Sequence, residues 1–365
     1  MNFELTEERQ MLQDTLRRYL SDKYTTDIRN KILDSDQGYS SEIWTELAEL
    51  GVIGALFSED EGGFGGQGFD ISVVFEEFGR AGVVEPFLDT AVLCGGVISA
   101  LGDADQKGLV EEIIGGGLQL AFAHGEPSSR YDLNWVHTRV SEGKLTGRKA
   151  VVVNAEAADH LVVSAREGDG ISLYLVARDA PGLTLRGYPM MAGGRAAEVT
   201  LEETPGTALG APGAALPAIE AAVAAANVAM AAEVFGAMTS ATELTGSYLM
   251  TRQQFGRPIG TFQALQHRMA DLLIELEQAR SAVINAAGHL EAEPRARDLE
   301  ISAARNLMGR VGRLVAEESI QMHGGIAMTR EYELAHIAKR IIMSDHRFGD
   351  TDYHLERFID LSAAA

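Results

Sequence analysis

The spacing of apolar residues along the chain changes twice, and each change marks a different kind of structure. Residues 4–22 place Leu16 and Leu20 one helical turn apart, which predicts an amphipathic helix, and Thr6 stands where an N-cap is expected. Further segments share this helical spacing, at residues 40–50, 70–82, 86–101 and 104–116. The first third is therefore predicted to be helical, with one glycine-rich loop at residues 58–70.

From residue 118 onward the pattern is one of short strands. Runs such as "LQLAFAH" and "AAEVTLEE", separated by Gly, Asp and Pro, predict a compact β unit that reaches about residue 205. Within it, "VSEGKLTG" predicts two strands joined by a Glu-Gly turn. Helical spacing then returns, and four long segments predict an antiparallel bundle, at residues 216–249, 263–291, 297–323 and 329–345.

The order of helices, strands and helices predicts an α+β fold, because a doubly wound nucleotide-binding sheet would alternate strands with helices. We expect an N-terminal α-helical domain at residues 1–117, a central β domain at 118–208 and a C-terminal four-helix bundle at 209–365. The apolar stretch 214–242 is interrupted by two acidic residues and an asparagine. That interruption favours a buried bundle helix over a membrane span.

Composition narrows the possible partners. The 365 residues include 31 Lys and Arg against 53 Asp and Glu, so the formal charge of −22 gives no drive toward nucleic acid or anionic lipid. The single cysteine, Cys94, excludes an internal disulfide, and the start "MNFELTEERQ" lacks the layout of a secretory signal, so we expect a cytoplasmic protein. The 9 histidines show no metal-ligating spacing, and no metal site is expected.

Two motifs carry candidate chemistry. In "TRQQFGRPIGTFQALQH", residues 251–267, a helix carrying Arg252 ends near Gly256 and a second helix begins after Pro258. A guanidinium beside a helix N-terminus suits a phosphate, although the same spacing also fits a helical hairpin with a solvated arginine. In "QMHGGIAMTREY", residues 321–332, paired glycines allow close approach of a ligand or simply cap a helix.

The two motifs in this order resemble the acyl-CoA dehydrogenase family of flavoproteins. The likeness also covers "GVIGALFSEDEGGFGGQGFDISVVFEEFGRAG" and "LTGRKAVVVN", so it extends over nearly the whole chain. The resemblance implies an α-helical domain, a central β-barrel-like domain and a four-helix bundle, assembled as a tetramer with FAD across subunit interfaces. The ending "FGDTDYHLERF" is similar to the small subunits of two-gene enzymes of the pimeloyl-CoA and steroid side-chain kind.

The resemblance also implies roles for single residues. Arg252 matches the arginine that reaches the FAD pyrophosphate. The other positions matched to cofactor binding are Phe255, Phe262, Gln263, Gln321, His323, Gly324, Gly325 and Asn154. The positions matched to substrate binding are Glu126, Ser128, Phe348 and Gly349.

The chain departs from the family pattern where the flavin is expected. Gly125 stands in place of a threonine, Val151 in place of a tryptophan and Val153 in place of a threonine. Valine cannot donate the hydrogen bond that a threonine hydroxyl would give the flavin. Because Gly125 and Val151 are small, we expect space for a bulky, branched, ring-bearing or dicarboxyl acyl group.

The position of the catalytic base is the second departure. An ungapped count from "TREY" puts Phe348 where the family's C-terminal glutamate stands, and the alternative location in the family falls on Ala226 and Asn227. Asp350, or else Asp352, could serve as the base if its carboxylate reaches the substrate. Alternatively the base lies on a partner polypeptide, or these acids only cap the last helix.

The resemblance implies FAD-dependent α,β-dehydrogenation of an acyl-CoA thioester, with electrons passed to an electron-transfer flavoprotein or a similar acceptor. Three alternatives stay open at this point. The chain could be a subunit that lacks its own base and pairs with a large catalytic subunit in a heterotetramer. It could also be a non-catalytic assembly or acyl-CoA-binding protein, or an oxygen-consuming oxidase on the same scaffold.

Overall fold

The computed structural model describes residues 5–363, and its contacts divide the chain into two compact units. One unit comprises the chain up to Arg29, residues 68–83 and the chain from Asn227 onward. The other comprises residues 30–67 and 84–226. The α+β order of helices, strands and helices is confirmed. The domain limits at residues 117 and 208 stay a prediction.

The first third is helical, as the spacing predicts. Its helices are α1 Glu7–Lys23, α2 Thr26–Leu33, α3 Ser41–Glu49, α4 Gly68–Ala81, α5 Gly96–Leu101 and α6 Ala104–Ile114, with a π-helical segment Leu88–Gly95 leading into α5. Thr6 caps α1, since its hydroxyl accepts a hydrogen bond from the Arg9 backbone N–H at 3.3 Å. Ion pairs from Arg9 to Asp70 and from Arg17 to Glu77 fasten α1 to α4. The eight-residue α2 was not predicted, because so short a segment shows little periodicity.

The central region forms one sheet of eight strands. They are β1 Leu120–Ala123, β2 Arg139–Ser141, β3 Lys144–Val153, β4 His160–Glu167, β5 Gly170–Ala177, β6 Leu183–Pro189, β7 Arg195–Pro205 and β8 Thr207–Leu209. The order is β6-β7-β3-β2-β4-β5-β8, with β1 parallel to β4. Glu142 and Gly143 form the predicted hairpin turn, both with positive φ, at 49° and 74°. Alternate residues of the sheet, including Leu145, Leu161 and Val199, form its buried core.

The chain from residue 216 is again helical. Its elements are α7 Leu216–Thr251, a two-stranded hairpin of β9 Gln253–Gln254 and β10 Arg257–Pro258, α8 Gln263–Gly288, α9 Pro294–His323, α10 Glu333–Ser344 and α11 Thr351–Ala363. Helix α9 packs against α8, α10 and α11. The predicted helix at 329–345 begins later, at Glu333, because a 3-10 segment Gly324–Met328 and a short turn follow α9.

Helix α7 is, among residues 5–363, the one helix long and apolar enough to cross a membrane. Of its most apolar 18-residue window, 83% is buried inside the protein. This burial is that of a core helix.

Candidate functional site

The first motif forms the end of α7 and the hairpin that follows it. The Arg252 backbone N–H donates to the Tyr248 carbonyl at 2.8 Å, and the Arg252 carbonyl accepts from the Ile259 N–H at 2.8 Å, which closes the hairpin. Phe255 and Gly256 occupy the tip with φ of 53° and 77°. The Arg252 side chain is exposed and makes no hydrogen bond or ion pair with any other residue of the described chain, 5–363. Its guanidinium is therefore available to a ligand.

Aromatic rings lie at the hairpin tip and directly before α8. Phe255 is 91% exposed, which is unusual because a phenyl ring is normally buried in the core. Its ring meets the Phe262 ring edge to face, with centroids 6.1 Å apart, and the Arg257 guanidinium lies 4.3 Å from the Phe262 centroid. Gln263, the first residue of α8, is exposed at that helix's N-terminus.

The second motif forms the end of α9. Gly324 ends the helix with φ of 69°, and a Cβ built on Gly324 or on Gly325 would meet nothing within 4 Å. The two glycines thus leave open space in front of exposed backbone, and Gln321 is exposed beside them. Such a surface lets a ligand lie directly against the main chain.

His323, unlike the exposed Arg252 and Gln321, is buried and its ring is already engaged. Nδ1 lies 2.8 Å from the Ser319 carbonyl and Nε2 lies 3.1 Å from the Tyr332 hydroxyl. Its ring stacks on Tyr248 with 4.4 Å between centroids. Burial lowers the pKa of His323 and raises that of Tyr332. These contacts suit a residue that holds the end of α9 in place. The spacing of residues in the sequence did not indicate that Tyr248 and Tyr332 contact His323.

The ends of α7 and α9 each offer part of what a flavin dinucleotide needs. The exposed Arg252 guanidinium can pair with a pyrophosphate, the exposed Phe255 ring can cover a flat ring system, and the open Gly324–Gly325 backbone can receive a close-lying ligand. The residues present therefore fit FAD. The net charge of −22 does not oppose this, since only the donors near the phosphates matter.

In the sheet, the segment "VVVN" lies at a β-bulge of β3. Lys149 pairs with Val199 and Val152 with Ala197, so two residues of β3 face one residue of β7. Val151 lies in this bulge with φ of 52°, a strained value for a β-branched residue, and its side chain is 58% exposed. Asn154 is buried, with φ of 62°, and its amide donates to Gln119 at 3.1 Å.

Glu126 is buried beneath this part of the sheet. Its carboxylate accepts from the Lys149 ammonium at 2.8 Å and from the backbone N–H groups of His137 and Thr138 at 2.8 and 2.9 Å. A carboxylate with these partners stabilises its own loop, and a contact of Glu126 with the substrate stays a prediction. Ser128, two residues on, is exposed. Lys149 was not predicted as a partner of Glu126, because a lysine in a strand is normally taken as solvent-exposed.

The C-terminal loop contains the candidate base. Phe348 has φ of 58° and Gly349 has φ of 121°, and Gly349 is buried. The Asp350 carboxylate accepts from the Tyr353 N–H at 2.8 Å and so caps α11, as one of the three readings of this acid expects. One carboxylate oxygen is used in this bond, and Asp350 is only half-buried. Asp352 is fully on the exposed side of α11.

A buried arginine organises this loop from below. One terminal nitrogen of Arg305 donates to the carbonyls of Ser344, Arg347 and Gly349, at 3.1, 3.0 and 3.3 Å. The Thr351 hydroxyl donates to Asp345 at 2.9 Å, which closes the loop on itself. The loop that carries Phe348 is therefore held in one shape.

His354 packs under the same loop. It is 2% exposed, and neither ring nitrogen reaches hydrogen-bond geometry with a described residue. Burial lowers the pKa of His354 to about 3, and the charges of Arg305 and Arg357 act in the same direction. The nearby Phe348 carbonyl acts to raise this pKa but does not offset them. The imidazole is neutral near neutral pH. Within residues 5–363, no three His, Cys, Asp or Glu side chains are grouped as metal ligands would be.

Comparison with known proteins agrees with this geometry. Residues 6–110 match the family model described as acyl-CoA dehydrogenase, N-terminal domain, and residues 216–359 match acyl-CoA dehydrogenase, C-terminal domain. The chain is 32% identical to acyl-CoA dehydrogenase IpdE2 of Mycobacterium tuberculosis, over 92% of this chain and 91% of that protein.

Two further relatives are informative by name. The chain is 26% identical to the caffeyl-CoA reductase-Etf complex subunit CarC of Acetobacterium woodii, over 90% of this chain and 91% of that protein. A solved structure described as the Tcur3481-Tcur3483 steroid ACAD G363A variant superposes with a TM-score of 0.90 at 30% identity, over 98% of each chain.

Proposed function

The chain belongs to the acyl-CoA dehydrogenase family, and we propose that it oxidises the α,β carbon bond of a bulky acyl-CoA thioester. The family is FAD-dependent, and bound FAD supplies the two-electron acceptor of the reaction. In the overall change, the α-carbon loses a proton to a base, the β-carbon gives up a hydride, and a double bond forms between them. Electrons then pass to a flavoprotein acceptor.

One observation carries the cofactor assignment for this particular chain. The exposed Arg252 guanidinium and the open Gly324–Gly325 backbone stand at two helix ends that the Tyr248–His323 stack fastens together. Arg252 would pair with the pyrophosphate, with Phe255, Phe262 and Gln263 beside it. We propose that the paired glycines and Gln321 receive the dinucleotide of a neighbouring subunit, as the family resemblance implies.

We propose Asp350 as the α-proton acceptor. It is the half-buried carboxylate of a loop whose shape Arg305 fixes, and its second oxygen is not used by the helix cap. A fixed carboxylate is a suitable general base once a bound thioester excludes water. Phe348 and Gly349, on the same loop, would contact the acyl group rather than exchange protons.

A second candidate is that this chain is one component of a two-component enzyme whose base lies on the other polypeptide. It is supported by the ungapped sequence count that puts Phe348 at the family's usual base position, and by the cap that engages Asp350. The steroid acyl-CoA dehydrogenase at 30% identity is itself named for two components. That likeness also supports a ring-bearing or branched acyl group as the substrate.

The site near the sheet supports the same substrate class. A Cβ built on Gly125 would meet only the Ala150 carbonyl, at 3.7 Å, so this position leaves surface uncovered. The small, exposed Val151 leaves more space than an aromatic residue would. Ser128 is exposed near Gly125 and remains a candidate contact to the substrate.

The electron acceptor and location complete the proposal. A relative at 26% identity is named as a subunit of a complex with Etf, which supports an electron-transfer flavoprotein as the acceptor. A cytoplasmic location fits the single cysteine, Cys94, which is buried and forms no disulfide.

The test begins with the chain purified alone. A yellow protein that bleaches anaerobically with a steroid or branched acyl-CoA supports a self-sufficient dehydrogenase. A yellow protein that bleaches only after co-expression with a second subunit supports the two-component reading. A chain that takes up no FAD even with a companion subunit contradicts both, and bleaching best with a plain medium-chain acyl-CoA contradicts the substrate class.

Asp350→Asn is the sharpest variant for the base. Asparagine caps helices as well as aspartate, so folding should be kept while the carboxylate is lost. Flavin reduction should fall by at least about a hundredfold, the smaller end of the effect of a general base. Asp352→Asn, on the exposed side of α11, is the matched control and should change little. An unchanged rate in Asp350→Asn would move the base to another residue or chain.

A further inference from the structure

A fully buried lysine stands at a core position of strand β3. Along β3 the side chains of Leu145, Lys149 and Val152 face the interior of the sheet, and Lys149 has 0% exposure. Its ammonium donates three hydrogen bonds, to the His124 carbonyl at 3.1 Å, Glu126 at 2.8 Å and the Ser164 hydroxyl at 2.9 Å. The three N–H groups are thus matched to three acceptors.

The partners of Lys149 belong to separate segments of the chain. His124 and Glu126 follow β1, and Ser164 lies in β4, where its hydroxyl also lies 3.0 Å from Nδ1 of His124. Glu126 in turn binds the backbone of His137 and Thr138. A single ammonium therefore joins the loop after β1 to two strands of the sheet.

This arrangement is not what sheet stability alone would favour. Burying two charges costs several kcal/mol, and replacing a buried ion pair by apolar side chains of similar volume is often neutral or stabilising. A leucine at this core position, like Leu145, would therefore serve a purely structural strand. A buried charge whose hydrogen bonds are all made instead fixes the orientation of its partners and the register of its strand.

The positions fixed in this way are Gly125 and Val151. Gly125 lies between two partners of Lys149, and its carbonyl accepts from the Ala150 N–H at 2.9 Å. Val151 follows Ala150 in the bulge and is exposed with a strained backbone. The family resemblance assigns the segments around Gly125 and Val151 to the flavin and the substrate. The buried Lys149–Glu126 ion pair joins these two segments in the interior, and the hydrogen bond from Ala150 to Gly125 joins them at the surface.

We propose that the Lys149–Glu126 pair is a positioning device that holds Gly125 and Val151 as one rigid surface against the flavin ring. This inference rests on the proposed function, because it needs bound FAD. The strain at Val151 is kept only while the strand is held on both sides of the bulge. Without the pair, the loop and the strand would move separately and the ring would lose a fixed wall.

The test compares lysine-to-methionine changes at two positions of the same strand. The double variant Lys149→Met/Glu126→Gln removes both charges together, so no unpaired buried charge is left, while the glutamine amide oxygen can still accept from the backbone. Lys144→Met, at an exposed residue of β3, is the matched control. Glu126→Gln alone keeps the shape of the side chain but leaves the Lys149 ammonium buried without its counter-charge, so it is the more severe second variant.

The readouts are FAD affinity, the visible spectrum and reduction potential of the bound flavin, and the unfolding midpoint. We expect the double variant to stay folded, to bind FAD about tenfold more weakly and to show a shifted flavin spectrum, and Glu126→Gln to lose stability as well, while Lys144→Met matches the wild type. Folded variants with wild-type affinity, spectrum and potential would overturn the positioning role. A wild-type chain that never binds FAD would instead overturn the proposed function.

Discussion

The ring of Tyr248 stacks on the ring of His323, with 4.4 Å between centroids and 24° between the ring planes. Tyr248 lies in the last turn of α7, four residues before Arg252, which directly follows the helix. His323 is the last residue of α9, directly before the paired glycines. The two sequence motifs, which are far apart along the chain, are therefore fastened to each other by one aromatic contact. His323 is held in turn by Ser319 and Tyr332.

Removing the Tyr248 ring should weaken FAD binding without removing any predicted FAD contact. Tyr248→Leu keeps an apolar side chain but loses the stack, which is worth about 0.5–1.5 kcal/mol, so we expect FAD affinity to fall by roughly threefold to tenfold. Flavin fluorescence titration measures it. Tyr332→Phe is the control that keeps all rings and loses only the hydroxyl contact to His323, and an equal loss in both variants would contradict a specific role of the stack.

The guanidinium of Arg252 should matter far more than any other exposed arginine. Arg252→Gln removes a charge-assisted contact to the pyrophosphate, worth about 1.5–3 kcal/mol, so FAD should bind roughly tenfold to a hundredfold more weakly. The unfolding midpoint of the apoprotein should not change, because this side chain has no partner among residues 5–363. Arg280→Gln, exposed on α8, is the matched control. Unaltered FAD affinity in Arg252→Gln would remove this arginine from the site.

Features set by neighbouring residues could be predicted from the sequence. The Thr6 cap, the Glu142-Gly143 turn and the order of helices and strands depend on local spacing, and each is confirmed. The end of α7 is predicted less closely, because the helix stops at Thr251, a few residues before the glycine and the proline that indicate its end.

Features set by distant residues could not be predicted. Lys149 lies in a strand whose pattern would place a lysine in solvent, and only the fold reveals Glu126 and Ser164 around it. The burial of His354 is equally hidden, because its neighbours in "DTDYHLERF" are mostly polar. Long-range contacts decided both positions, through hydrogen bonds for Lys149 and through packing under the C-terminal loop for His354, and a single sequence carries no signal for either.

Gly309, in α9, should be required for the shape of the loop that carries Asp350. A Cβ on Gly309 would overlap the Thr351 hydroxyl and the Asp345 carboxylate, so Gly309→Ala should break their hydrogen bond and destabilise the fold by about 1–3 kcal/mol. Gly246→Ala in α7 is the matched control, because its Cβ would make only an ordinary contact to Met269 at 3.7 Å. Since alanine favours helix, that control should be neutral or slightly stabilising. Urea unfolding distinguishes the two, and equal midpoints would contradict the overlap.

His354 should make the fold sensitive to acid. Its pKa is lowered to about 3 in the folded chain, whereas an unfolded histidine has a pKa near 6.5. Between these values the unfolded state binds a proton that the native state does not, so stability falls as the pH falls. For this one group, the expected loss from about pH 7 to about pH 5 is roughly 2 kcal/mol.

His354→Leu removes that proton uptake and keeps the site apolar, so the free energy of unfolding of the variant should decline less steeply with acid than that of the wild type, by about this amount. Urea unfolding at several pH values measures the difference. His267→Gln, at an exposed position of α8, should leave the wild-type slope unchanged. His124 is also buried with a pKa of about 3, so both variants keep part of the acid sensitivity. The contribution of His354 is therefore the difference between the pH slopes of His354→Leu and the wild type. Parallel slopes for His354→Leu and the wild type would mean that the imidazole takes up its proton inside the fold.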